Sequence, residues 1–211
     1  MIIHKGGIHM VVTIARQYGS GGREIGQLLA KRLGIKCYDN ELITAASKES
    51  GLCEEIFKTH DEKPTNSFLY SLVMDSYLGY GAGFGMNNMP LGQQVFLAQF
   101  DTIRKIAKNE DAVFVGRCAD YALRDDYEIT SVFITSDEKS RKERICKRHN
   151  VSESKAYEMM IKTDKKRANY YNYYTDKQWG NSVSYDLCIN SGKIGIDATV
   201  DLIIEYIKKQ G

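Results

Sequence analysis

Met10-Val11-Val12-Thr13-Ile14-Ala15-Arg16-Gln17-Tyr18-Gly19-Ser20-Gly21-Gly22-Arg23-Glu24-Ile25-Gly26 is the stretch on which the fold turns. Its first six residues, Met10–Ala15, are apolar and β-branched, as in a strand covered on both faces. A glycine cluster follows at once. Beyond it Ile25, Leu28, Leu29 and Leu33 recur at helical spacing until Gly34 closes the helix. Strand, glycine turn and helix together form the layout that holds phosphate. Glycines let backbone N–H groups approach an anion, and the helix behind them points its positive end at it. Gly19, Ser20, Gly21, Gly22, Arg23 and Glu24 are therefore the candidate phosphate-binding residues.

The loop alone does not choose the ligand. A Walker loop, G-x-x-x-x-G-K-[ST], needs its lysine for phosphate charge and its hydroxyl for magnesium. Here Gly22 or Arg23 stands near the lysine position, and Glu24 falls where the hydroxyl belongs. A dinucleotide loop, G-x-G-x-x-G with an acidic residue about 20 positions on, fits Gly19, Gly21 and Asp39, but Glu24 takes the third glycine's place. Both readings stay open at this point.

Outward from the loop, short apolar runs alternate with helical patterns. Lys36–Tyr38, Ala112–Val115, Ile129–Thr135 and Tyr185–Asn190 read as further strands. Asp39 or Asn40 can cap the helix that holds Leu42, Ile43 and Ala46. Leu91–Lys108 is a long helix, and Thr135 with Glu138 forms a capping box opening a charged helix to Arg148. A second charged helix covers Ser152–Tyr171, and Ile196, Val200, Ile203, Ile204 and Ile207 line a closing one. Residues 52–90 interrupt the rhythm with both prolines and the run Gly79–Gly85, and read as an insert with a helix near Asn66–Leu78. The expected fold is α/β: a three-layer, five-stranded parallel sheet with helices on both faces. Residues 10–211 form one domain, and 1–9 read as a leader or upstream start.

A chain that is 43% hydrophobic and 27% charged is neither disordered nor fibrous. No apolar run approaches the roughly 20 residues that span a bilayer. The five cysteines are scattered and lack a C-x-x-C pair, which argues against zinc or a disulfide framework and fits a reducing cytoplasm. Four histidines without ligand spacing likewise suggest no metal ligands. From Lys139 to Arg167, eleven Lys/Arg face four Asp/Glu within a chain of net charge +2. Such concentration suits a polyanionic ligand, while the near-neutral total argues against nucleic acid. Arg141, Arg144 and Arg148 share one helical face, and Asp164 and Arg167 follow on the next helix. Cations that converge beneath a closing segment serve phosphoryl transfer.

At these residues the chain resembles the cytidylate-kinase-like P-loop family, relatives of the nucleoside monophosphate kinases. The resemblance rests on ARQYGSGGREIGQLLAKRLGIKCYDNELI, VFVGR, DKKRANYYNYYTDKQWG and YDLCIN. It implies a P-loop kinase fold with an acceptor-binding insert at 52–90 and a basic lid at 139–175. It also implies ATP with Mg2+, transferring the γ-phosphoryl to a small acceptor such as CMP. Gly19–Arg23 match the family's phosphate loop, Asp39 the acidic residue facing the acceptor, and Arg117 an acceptor-phosphate arginine. Arg144 and Arg148 match lid positions, and Asp164 with Arg167 the lid and acceptor clamp. Arg23, Asp39, Arg144, Arg148 and Arg167 thus become the catalytic candidates. The family's loop lysine, loop hydroxyl and the aspartates flanking Gly116-Arg117 are replaced by Gly22 or Arg23, Glu24, Val115 and Cys118. A nucleotide-binding regulator that has lost catalysis is therefore the alternative, with an NAD(P)-binding oxidoreductase behind it. The insert also offers a surface for self-association.

Overall fold

The computed structural model describes residues 9–60 and 89–210. The sheet consists of β1 (Val11–Arg16), β2 (Lys36–Tyr38), β3 (Ala112–Val115), β4 (Ile129–Thr135) and β5 (Leu187–Asn190). All pairings are parallel, in the order β2-β3-β1-β4-β5. The helices are α1 (Gly22–Leu33), α2 (Asn40–Ser50), α3 (Glu54–His60), α4 (Leu91–Asn109), α5 (Ala119–Leu123), α6 (Glu138–His149), α7 (Glu153–Tyr174) and α8 (Ser191–Gln210). The predicted helix near Asn66–Leu78 lies outside the described residues.

Two apolar cores sandwich the sheet, because successive side chains of each buried strand point to opposite faces. On one face Val12 and Ile14 of β1 pack with Ile25 and Leu29 of α1 and Val200 and Ile203 of α8. On the other, Val11 and Phe114 meet Phe96 and Ile103 of α4, Leu123 of α5 and Tyr170, Tyr171 and Tyr174 of α7. This is the three-layer architecture of P-loop kinases. Its strand order differs from the 3-2-1 order of dinucleotide folds, which removes the oxidoreductase alternative at the level of fold.

Two local expectations are corrected. Thr135 does not cap α6: it pairs with Asn190 as the last residue of β4, and its hydroxyl bonds Gln17 Oε1 at 2.5 Å. Asp137 is the cap, its carboxylate accepting the N–H of Ser140 at 2.9 Å. The last strand begins at Leu187 and not at Tyr185. Just before it, Asp186 turns its carboxylate onto the N–H and hydroxyl of Ser131, at 2.7 Å each. The closing helix is broken at Gly195 (φ 83°, ψ 173°), a conformation open to glycine.

Candidate functional site

Register brings the site together at the carboxyl edge of the sheet. Tyr38 is level with Phe114, Ile14 with Val115, and Arg16 with Ile134. Asp39, Arg16 and Arg117 thus leave three neighbouring strands at nearly one height. The helix after β1 packs on one face and the helix after β3 on the other. Such a reversal opens a crevice at the strand ends, where α/β folds bind ligands.

Asp39 is the hub of an arginine cluster. Its carboxylate accepts Arg23 Nε at 2.8 Å and Arg117 Nη1 at 3.3 Å, and Arg16 Nη2 lies 3.9 Å away. Arg117 Nη1 also donates to the Asp39 carbonyl at 2.7 Å, and its side chain is only 3% exposed. Arg117 and Cys118 both take φ 54°, a left-handed turn that non-glycine residues enter at a cost. Burial, followed by the Asp39 and Glu41 charges, pushes the adjacent Cys37 thiol up to about 12.

The glycine loop is held from outside. Gly19 and Gly21 adopt φ 80° and 82°. A Cβ at Gly19 would lie 2.8 Å from the Arg141 carbonyl, and one at Gly21 2.6 Å from Ile196 Cδ1. Asp164 accepts the Tyr18 N–H at 2.7 Å and is paired to Arg141, which donates Nε to the Tyr18 carbonyl at 2.7 Å. Arg144 Nη1 donates to Gly19 O at 2.9 Å, and Arg167 Nη1 to Arg16 O at 3.2 Å. The hydroxyl of Ser191 donates to Ser20 O at 2.5 Å.

Between loop and cluster lies a cavity of about 320 Å³, lined by Arg16, Arg23, Arg117, Arg148, Arg167 and Asp39. Among the described residues, five lining arginines to one carboxylate make it a site suited to an anion. Gly19, Gly21 and Gly22 form its loop wall. Four predicted residues do not line it. Ser20 is fully buried with its hydroxyl on the Gln17 carbonyl, and Glu24 is exposed. Arg144 and Asp164 act on the loop backbone. Arg16 and His149 line the site without having been singled out, and Arg141, expected only as part of a basic helical face, supports the loop.

A separate crevice of roughly 20 Å³ lies beneath Arg16 and Arg117 and reaches Asp120. Tyr171 donates its hydroxyl to Asp120 at 2.6 Å. Burial pushes the Asp120 carboxyl above its usual range against that hydrogen bond, and burial likewise raises Tyr171 and Tyr185.

The sequence profile of the cytidylate kinase-like family matches residues 11–193. The chain belongs to that family. Among solved structures, this cytidylate kinase-like chain is similar to an uncharacterized protein from Eubacterium ventriosum. That pair is 30% identical with a TM-score of 0.69, over 94% of this chain and 98% of the other. It is also similar in fold to shikimate kinase from Bacteroides thetaiotaomicron, at 13% identity and TM-score 0.54, over 94% and 98% of the two chains. No curated protein matches it significantly in sequence.

The magnesium of P-loop kinases does not fit the cytidylate kinase-like residues present here. The loop hydroxyl position holds Arg23 or Glu24, Ser20 is spent on Gln17, and Asp39, the one carboxylate lining the cavity among the described residues, is engaged by arginines. Among the described residues no three His, Cys, Asp or Glu are grouped to hold a metal ion. Nor is any described helix long and apolar enough to cross a membrane.

Proposed function

We propose that the chain is a phosphotransferase of nucleotide-kinase type, moving the γ-phosphoryl of ATP to a small acceptor, for which a nucleoside monophosphate such as CMP is the first candidate. The observation that carries this reading is the cavity itself: a glycine loop on one wall, Asp39 and Arg117 on the other, and arginines between. The nucleotide's phosphates lie on the N–H groups of residues 19–23, at the positive end of α1. Arg117, locked by Asp39, presents charge to the acceptor. Arg148 and Arg167 reach the transferring group from α6 and α7. In a phosphoryl transfer the protein acts through position and charge, which is what such an array supplies. Asp39 serves as the organiser of the arginines, and Asp164 acts through the Tyr18 N–H and not on the acceptor.

One observation favours a second reading, a nucleotide-binding regulator without turnover: the lysine, the hydroxyl and the magnesium carboxylates of a working loop are all replaced. Calorimetric titration with ATP and CMP, followed by an ADP-release assay over a panel of nucleoside monophosphates, separates the two. ATP binding with acceptor-dependent ADP release supports the kinase. Tight binding with no turnover for any acceptor supports the regulator, and no binding of ATP sinks both.

A further inference from the structure

With Gly21 taken as the last glycine of the Walker pattern, Gly22 stands at the lysine position and Arg23 at the hydroxyl position, yet the backbone of Gly22 does not need glycine. It is the first residue of α1, and it is absent from the positive-φ glycines, which include its neighbours Gly19 and Gly21. What forbids a side chain there is Arg16. A Cβ on Gly22 would lie 2.5 Å from Arg16 Cβ and 2.9 Å from Arg16 Cγ. Real Cβ atoms do not approach so closely, and the offending atoms are the root of a side chain and not its movable end. Positions 16 and 22 therefore compete for one space, and in this chain the cation comes from the strand instead of the helix.

We propose that Arg16, at the carboxyl end of β1, supplies the phosphate charge that a Walker loop draws from its lysine. This rests on the reading that residues 19–23 hold a polyphosphate. Three further observations support it. Arg16 lines the anion cavity beside Gly19, Gly21 and Gly22. Its side chain is 11% exposed and its head group faces Asp39, so it is desolvated and directed. Its backbone is fixed by the β-ladder to Ile134 and by Arg167, which donates to its carbonyl. A guanidinium in this place grips two phosphate oxygens at once, where a lysine offers a point charge.

The test is a charge relocation. ATP and inorganic tripolyphosphate are titrated calorimetrically into the wild type, Arg16→Ala, and the double variant Arg16→Gly/Gly22→Lys, with melting temperatures recorded for each. The glycine at 16 removes the Cβ that blocks position 22. Arg16→Ala is expected to weaken both ligands about 10- to 100-fold, the scale of a lost charge-assisted hydrogen bond. The double variant is expected to recover most of that loss, which a purely structural role for Arg16 would not allow. Wild-type affinity in a folded Arg16→Ala overturns the proposal while leaving the phosphate loop standing. So does a folded double variant no tighter than Arg16→Ala. Should Arg16→Ala not fold, Arg16→Gln takes its place with the same expected loss. A wild type that binds neither ligand overturns the kinase reading, and Arg16's role with it.

Discussion

Asp164, in the second half of α7, accepts the backbone N–H of Tyr18 at 2.7 Å across 146 residues of sequence. Its other oxygen pairs with Arg141, which in turn donates to the Tyr18 carbonyl. Both polar groups of one loop residue are thus gripped by an ion pair whose side chains are 8% and 17% exposed. Removing one partner of such a pair strands the other's charge, at a cost of about 3 kcal/mol. Asp164→Ala is expected to lose stability on that scale and to bind ATP more weakly. Urea unfolding and calorimetry on the same sample check it; unchanged affinity in the destabilised variant would show that the clamp does not shape the loop.

Gly19→Ala forces a methyl into a left-handed position and against the Arg141 carbonyl. The conformation alone costs about 1–2 kcal/mol. We expect a lower melting temperature together with weakened ATP binding, whereas Gly34→Ala, with φ 72° and open space around its Cβ, carries the backbone cost alone. Equal ATP affinity in the two variants would contradict this account.

Asp120 is expected to reveal itself through pH. A carboxyl raised by burial stabilises the fold below the ordinary value of about 3.9, and that contribution is lost as pH rises through the folded value. Asp120→Asn should therefore melt above the wild type at pH 7, with the advantage shrinking toward pH 4. Parallel melting curves across pH 4–8 would refute the assignment.

Phe96 and Tyr174 stack with centroids 4.0 Å apart and planes 6° apart, joining α4 to the end of α7. Both rings are essentially buried. Tyr174→Ala is expected to cost about 4 kcal/mol, read from the shift of a urea unfolding midpoint. A shift below about 1 kcal/mol would mean that α7 is anchored elsewhere.

The fold was legible because buried parallel strands write themselves as unbroken apolar runs. Ala112–Val115 and Ile129–Thr135 carry the same bounds in sequence and structure, as does the edge strand Lys36–Tyr38, which is neither fully buried nor an apolar run. Helix starts were less legible: Thr135-x-x-Glu138 has the spacing of a cap, but the β-ladder claims Thr135 and leaves the work to Asp137. In the site, Asp39 and Arg117 are legible through the family resemblance; Asp39 directly follows β2, and Arg117 follows β3 after Gly116. Arg16 is passed over when the strand is read as ending at Ala15, although a glycine at the lysine position with an arginine six residues earlier is a signal. Arg141 looked like Arg144 and Arg148, since helical spacing gives a face and not a target. The loop groups that Arg141 and Arg144 hold, Tyr18 and Gly19, lie more than 120 residues away in sequence, beyond any local pattern.

The parts that hold the phosphate loop arrive in a particular order during synthesis. Asp164 and Ser191, which hold Tyr18 and Ser20, follow them in the chain by 146 and 171 residues. The glycine loop is therefore synthesised long before the residues that hold it, and its shape is completed only when α7 and the start of α8 have packed against it.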